Sequence, residues 1–554
     1  METIGLTDII GPIMVGPSSS HTAGALRIAS MARGLCLDAP VRVEFSLLGS
    51  FAHTLSGHGT DKALVAGMLG LTADDLRIRD SFALAEQAGL SFSFHPLPDS
   101  DDYDHPNTID IRATDAAGNE MSVRGESVGG GAAVIRRIDG IEVYVTGEST
   151  SVVVRQRDVA GVLAHIARSL GDRGVNIATA RMFRERRGQV AYTVLETDHD
   201  VDALAKAAIE SHPAVRDVRV IPGTACGPAR NTQGGSGAAA GAPGTDAADA
   251  ADDALRRFSE LDFPTGAALL SWCERNGARI SEAFLAREEA LAASLGRATF
   301  PQRYLRTALS VMREAATAPA REALPSMGGL LGGEARKLSQ LSVEGKSLCD
   351  DQLAAAIAFA MAVLETNASM GRIVAAPTAG SAGVLPGVLL ALQQSKGYTD
   401  DQLVQGLACA AAVGYLITRN ATVSGAEGGC QAEVGSAAAM AAAAAVELAG
   451  GTPAQCLDAA GNALMSLMGL VCDPVAGLVE VPCQKRNAAG AAVALASAQI
   501  ALAGIGNLVG FDQTVEAMDK VGRALPFELR ESALGGIAAT PAACAWCAGC
   551  VSGA

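Results

Sequence analysis

The chain has 554 residues, 49% of them apolar and only 4% aromatic, and carries a net charge of −16. That length calls for about two to four domains whose cores are built from Ala, Val, Leu and Ile rather than from large rings. The acidic balance excludes nucleic acid as the expected partner, because phosphate binding needs clustered Lys and Arg. A small substrate stays open.

The first residues, "METIGLTDIIGPIMVG", lack the basic start and apolar run of a signal peptide, so a cytoplasmic protein is expected. Strand-like runs then alternate with helical ones: "VRVEFSLLGSF", "HPNTIDIRAT", "EVYVTGE", "SVVVRQ" and "VAYTVLET". From Ile141 to Ile221 the order reads strand, helix, strand, strand, helix, strand, a ferredoxin-like βαββαβ pattern with a turn at Arg187 and Gly188. Residues 223–254, "GTACGPARNTQGGSGAAAGAPGTDAADAADDA", are low in complexity and read as a flexible linker. Beyond them the apolar period is helical almost throughout, clearest in "DDQLAAAIAFAMAVLETNASMG" and "GSAAAMAAAAAVELAGG". The expected class is therefore multidomain α+β: an α/β domain over 1–138, the ferredoxin-like module over 139–222, the linker, and a mainly α-helical domain over 255–554. The uncharged run 487–510 is long enough to span a bilayer, but it is Ala-, Gly- and Asn-rich and reads as a buried helix, so no membrane partner is expected.

All eight histidines lie at or before His212, whereas eleven of the twelve cysteines follow it. A Cys₂His₂ zinc site within the helical part is thereby excluded. Three or four thiolates favour an iron–sulfur cluster or a four-cysteine zinc site. Without an export signal a disulfide framework is not expected. Cys409 and Cys456 sit in Ala-rich helical runs and read as small core side chains. Cys430 differs, lying in the glycine-rich turn "GAEGGCQAEVG"; Cys472 precedes Asp-Pro and Cys483 follows Pro482, so all three lie at helix breaks where thiols can converge.

Several motifs carry a resemblance. "EGGCQAEVGSA", "GLVCDPVAGLVEVPCQKRNAAGA", "APTAGSAGVLPG" and "GGLLGGEARKL" resemble the catalytic domain of the bacterial iron–sulfur L-serine dehydratases. "GPSSSHTAGALRIA", "GSFAHTLSGHGTDKA" and "HPNT" resemble that family's smaller domain, and "RDVAGVLAHIARSLGDRGVNI" resembles the ACT domain, a module that binds amino acids. The resemblance implies one fused chain that converts L-serine to pyruvate and ammonia without pyridoxal phosphate. It implies a [4Fe–4S] cluster held by Cys430, Cys472 and Cys483, whose fourth iron stays open to act as a Lewis acid on the substrate hydroxyl, with a monovalent cation as a further candidate cofactor.

By the same resemblance His58, between glycines in a loop with little packing to explain it, is the candidate base for the Cα proton. His21, after a serine run suited to capping a helix, would position the substrate, both acting from across a domain interface, and His105 is a weaker candidate. Ser18, Ser19, Ser20, Thr378, Gly380, Ser381, Lys485, Arg486 and Asn487 are candidate substrate contacts, the loop at 377–387 because the free N–H groups of a helix entry suit a carboxylate. Cys544, Cys547 and Cys550 form a C-x₂-C-x₂-C tail; in single-chain relatives without an ACT domain a C-terminal cysteine can cap the open iron, whereas here a flexible tail is expected. Gly161 marks where an amino-acid effector would approach the ACT module, and a homo-oligomer is expected. Other readings are an aconitase-like hydroxy-acid dehydratase and a non-catalytic cluster or amino-acid sensor, which would need no histidine base.

Overall fold

A computed structural model describes residues 4–55, 57–98, 103, 105–223, 245–295, 300–323 and 325–551. The chain forms two compact units: one takes its start to Ser19, the short piece Asp74–Leu76 and everything from Asp249; the other takes Ser20–Ala73 and Arg77–Ala248.

The chain start therefore packs with the helical part. Strand β1 (Ile13–Val15) pairs antiparallel with a distant strand, Arg372–Val374. Ile9, Ile10 and Met14 are fully buried there, and Tyr304 donates its hydroxyl to Ile10 O at 2.7 Å.

In the second unit, β2 (Pro40–Leu47), β3 (Ser91–Pro96), β4 (Thr108–Asp115), β5 (Glu120–Gly129), β6 (Ala132–Ile138) and β7 (Ile141–Val145) form a six-stranded sheet in the order β3-β2-β4-β5-β6-β7. β2 and β3 pair in parallel, and the other neighbours pair antiparallel. The boundary expected at residue 139 is a hairpin turn: Asp139 and Gly140 both have positive φ, 50° and 81°, and return the chain so that β7 pairs with β6. The ferredoxin-like module begins afterwards, with β8 (Thr150–Arg157), β9 (Ile177–Arg184), β10 (Val190–Thr197) and β11 (Val215–Ile221) in the order β11-β8-β10-β9. Its helices, Val162–Gly171 and Ala203–Glu210, cover one face, burying Val152, Val154, Ile166, Leu170, Leu195, Ile209 and Val218. Strand alternation sends Arg155 and Arg219 to the other face.

The last part of the expected linker is helical: Thr245–Leu261 forms a helix, because its Ala-rich, glycine-free stretch favours that state once the Gly-Pro run is passed. Residues 224–244 lie outside the described residues. In the helical unit the almost all-alanine helix Ser436–Leu448 is buried on every side against Val384–Lys396, Asp400–Asn420, Pro453–Leu467 and Cys483–Leu502. Small side chains allow helix axes to approach to the short end of the ordinary 8–10 Å range. Thr399 with Gln402, and Thr452 with Gln455, start two of these helices with reciprocal capping bonds. Run 487–510 supplies most of helix Cys483–Leu502, and among the described residues no helix is long and apolar enough to cross a membrane.

Candidate functional site

Cys430, Cys472 and Cys483 are all buried, at 3%, 3% and 8% exposure. Cys430 stands at the turn before the wide helical turn Gln431–Gly435. Cys472 is held in an extended loop, its N–H donating to Leu529 O and its carbonyl accepting from Glu531 N, and Cys483 opens helix Cys483–Leu502. The Cys430 and Cys472 sulfurs and a Glu433 carboxylate oxygen lie within 4.8 Å of one another. A hydrogen bond with Cys430, then burial, holds the Cys472 thiol well above its usual range; burial and then the charge of Cys430 do the same to Cys483. Burial raises the Glu433 carboxyl against a hydrogen bond from Thr378, and burial with Glu433 nearby pushes Glu531 up to about 8. Several would-be anions are thus crowded together in a buried place, with the Arg486 guanidinium 3.6 Å from the Cys430 sulfur. Such a donor set suits a multivalent, thiolate-loving metal centre, which would reverse each of those shifts.

The other candidate contacts separate into two kinds. Thr378 and Ser381 share a 3.1 Å hydroxyl contact, and Thr378 also donates to Glu433 at 2.7 Å, so this loop adjoins the thiols. Gly380 is half-buried between them. Ser18 and Ser19, buried and in the same unit, follow Pro17, whose carbonyl accepts from Asn367 Nδ2; that amide also donates to Ala379 O. Asn367 thereby ties the serine run to the Thr378 loop.

Arg486 and Asn487, however, are engaged within the protein. Arg486 donates to Val471 O and pairs with Asp473, both at 2.8 Å, which braces the Cys472 loop. Asn487 bonds Gly380 O, Cys483 O and Gly383 N, joining the Thr378 loop to the Cys483 helix. Lys485 is exposed.

In the second unit, His21 and His58 stack edge to face with ring centroids 4.5 Å apart, and both are buried. His58 is thus packed against a second imidazole ring, and Thr22 donates to His58 O at 2.7 Å. His21 Nε2 lies 2.8 Å from Ser50 Oγ. The Ser50 N–H in turn donates to Pro106 O, which explains why the "HPNT" turn sits beside "GSFAH". Burial, then His58 and His105, keeps His21 well below the usual imidazole range. The serine run does not cap helix Ala25–Gly34, which continues from the wide turn Ser19–Gly24 with no side-chain cap. Ser20 O accepts from Ser127 Oγ at 2.8 Å.

Cys409 and Cys456 are buried in helices beside Glu447, and burial pushes the Cys409 thiol up. Cys544 is exposed in helix Pro541–Val551, a helical segment where a flexible tail was expected; the side chains of Cys547 and Cys550 lie outside the described residues. Gly161 adopts φ +91° before helix Val162–Gly171, with open space where a Cβ would stand.

Sequence reasoning missed Glu433, Glu531, Asn367 and Glu480. Glu433 was readable, since i+3 spacing on a helical turn sets it on the face of Cys430. Glu480 accepts from Ser326 Oγ, Gly328 N and Leu330 N, and Glu365 from Gly333 N and Ala335 N. These two carboxylates lock the "GGLLGGE" loop in place, a role that no local pattern announces.

Fold and site together define a multidomain α+β protein with a cysteine-lined centre in its helical unit and a ferredoxin-like module in the other. Residues 275–538 match the family model of the serine dehydratase alpha chain, residues 6–137 that of the serine dehydratase beta chain, and residues 150–214 that of the ACT domain. The chain is 42% identical over 274 residues to an L-serine dehydratase alpha chain of Peptoniphilus asaccharolyticus, covering 50% of this chain and 93% of that one. It is 41% identical over 202 residues to that organism's beta chain, covering 36% and 90%. Against an L-serine dehydratase of Streptomyces coelicolor the identity is 30% over 542 residues, 95% of this chain and 96% of the other. The chain belongs to the serine dehydratase family.

Proposed function

We propose that this protein is an L-serine dehydratase that eliminates water across Cα and Cβ of L-serine and releases pyruvate and ammonia. The observation that carries the reading furthest is the convergence of Cys430, Cys472 and Glu433 beside Cys483, in a chain whose relatives bear that name. Cys430, Cys472 and Cys483 would hold a [4Fe–4S] cluster, with Glu433 alongside. When bound, such a cluster supplies a Lewis-acidic iron for a hydroxyl leaving group.

The chain's own groups do the rest. Thr378, Ser381 and the N–H groups at the start of their helix would bind the substrate carboxylate, while Arg486 and Asn487 keep the two loops in register. His58 would take the Cα proton, with His21, which burial keeps neutral, beside it positioning the substrate. The electron pair of the Cα–H bond becomes the Cα–Cβ double bond, and the hydroxyl leaves as water after protonation. The enamine then tautomerises and hydrolyses unaided. The ACT domain suits an amino-acid effector near Gly161, and self-association belongs to the same reading.

The test is pyruvate release from L-serine by protein purified without oxygen, read together with visible absorbance and repeated after brief air exposure. Activity that fades with the brown absorbance supports the reading. Activity indifferent to air and chelation removes the cluster, and no pyruvate at all removes the dehydratase.

A further inference from the structure

The second unit contains a cavity of about 210 Å³ where the helix-free face of the ferredoxin-like sheet meets the β4–β5 turn and the end of helix Ala25–Gly34. With about 30 Å³ of liquid volume per water, this is room for a molecule of roughly seven heavy atoms. Arg155 and Arg219 line one side, and Asp115, Asn119 and Glu120 line another, with Cys36 between them. The two guanidinium groups share a single carboxylate: Asp217 lies 2.6 Å from Arg155 and 2.9 Å from Arg219. Arg219 is 4% exposed; its Nε makes the ion pair with Asp217, and its Nη1 makes no hydrogen bond. A buried guanidinium with unspent donors is costly unless something accepts from it. Across the cavity the Asp115 carboxylate is fixed by the N–H groups of Ala117 and Asn119 and by the Asn119 amide, and Glu120 is exposed. The lining is therefore dipolar, with excess cation on one wall and carboxylates on the other.

We propose that this cavity binds a small free α-amino acid, its carboxylate on Arg219 and Arg155 and its ammonium toward Asp115 and Glu120. A zwitterion complements both walls at once, whereas a plain anion or cation would complement one. The site is on the opposite face of the sheet from the module's two helices and is built jointly by the ACT domain and the smaller domain. Occupancy would therefore link the two through shared contacts.

Glycine, which has no hydroxyl to eliminate, is titrated calorimetrically into the full chain prepared without oxygen, and acetate and methylammonium are titrated in parallel. The expected result is saturable glycine binding, with acetate and methylammonium at least about tenfold weaker because each lacks one charge-assisted contact. Arg219→Gln removes the buried donor, and Cys36→Leu fills the cavity from the opposite element without touching the arginines. Both should abolish glycine binding, while Cys36→Leu keeps the basal rate of pyruvate formation and loses any effect of glycine on it. No saturable heat up to about 10 mM, glycine binding unchanged in Cys36→Leu, or acetate binding as tightly as glycine each overturns the proposal. Only the rate measurement rests on the dehydratase reading. A chain that forms no pyruvate would sink that reading and leave the calorimetry to decide the cavity.

Discussion

The Thr378 hydroxyl donates to Glu433 Oε1 at 2.7 Å, and the other oxygen of the same carboxyl group lies 3.9 Å from the Cys472 sulfur. One buried group thus connects the small-residue loop to the cysteine pair. Replacing Thr378 by Val keeps the shape and removes the donor, leaving the carboxylate short of a partner. The expected cost is about 1–3 kcal/mol of unfolding free energy, read from urea midpoints, and Thr378→Ser should restore most of it.

The three thiols should be separable from the rest by their iron. Cys430→Ser, Cys472→Ser and Cys483→Ser are each expected to lose iron, sulfide and pyruvate formation together. Cys456→Ser and Cys544→Ser should keep all three. Iron and sulfide per chain decide it, and full iron retention in Cys483→Ser would strike Cys483 from the ligand set.

Two glycines near this centre should respond differently to Ala. A Cβ at Gly425 would stand 2.5 Å from Glu433 Oε2 and 3.3 Å from the Cys472 sulfur, whereas at Gly383 it would stand 2.3 Å from the Ala360 carbonyl oxygen. The first obstacle is a side-chain end that can turn; the second is fixed helix backbone. Gly383→Ala is therefore expected to cost about 1–3 kcal/mol in denaturant melts. Gly425→Ala should leave stability nearly intact while displacing Glu433 and lowering turnover.

Asp262 binds Arg287, Arg419 and the Tyr415 hydroxyl, and Arg287 is 1% exposed. Burial raises this carboxyl, but the hydrogen bonds from Arg419, Tyr415 and Arg287 outweigh it and hold it below its ordinary range. A lowered folded value means that the stabilisation is complete above the unfolded pKa of about 3.9 and is lost as pH falls through the folded value. Asp262→Asn should therefore cost about 3 kcal/mol at neutral pH. The gap to the parent chain should narrow only in acid, as urea midpoints across pH would show.

His58→Gln is expected to reduce turnover by at least about 10²-fold with iron content unchanged. That combination distinguishes loss of a base from loss of a metal centre. A variant with near-parental turnover would transfer the proton to another group, with His21 next to be tested.

Much of this architecture was legible because it is local. Alternation and the 3.6-residue period separate sheet from helix, and Pro beside Cys472 and Cys483 places both at helix breaks. The pairing of β7 with β6 across the hairpin at Asp139 was not legible, because Asp-Gly marks a turn without saying which sheet the next strand joins. The helix Thr245–Leu261 was hidden because an Ala- and Asp-rich stretch follows a Gly-rich one without a clear break.

By itself the sequence determined the class of fold, the separation of imidazoles from thiols along the chain, and the three cysteines with freedom to converge. Tertiary structure alone decided that β1 pairs with Arg372–Val374, that Asn487 and Arg486 serve as braces, and that Glu433 stands beside Cys472. Local periodicity reports which face of an element is apolar. Which distant group satisfies a buried amide, guanidinium or carboxylate is decided only when long-range packing removes water and leaves each of them to find a partner within the protein.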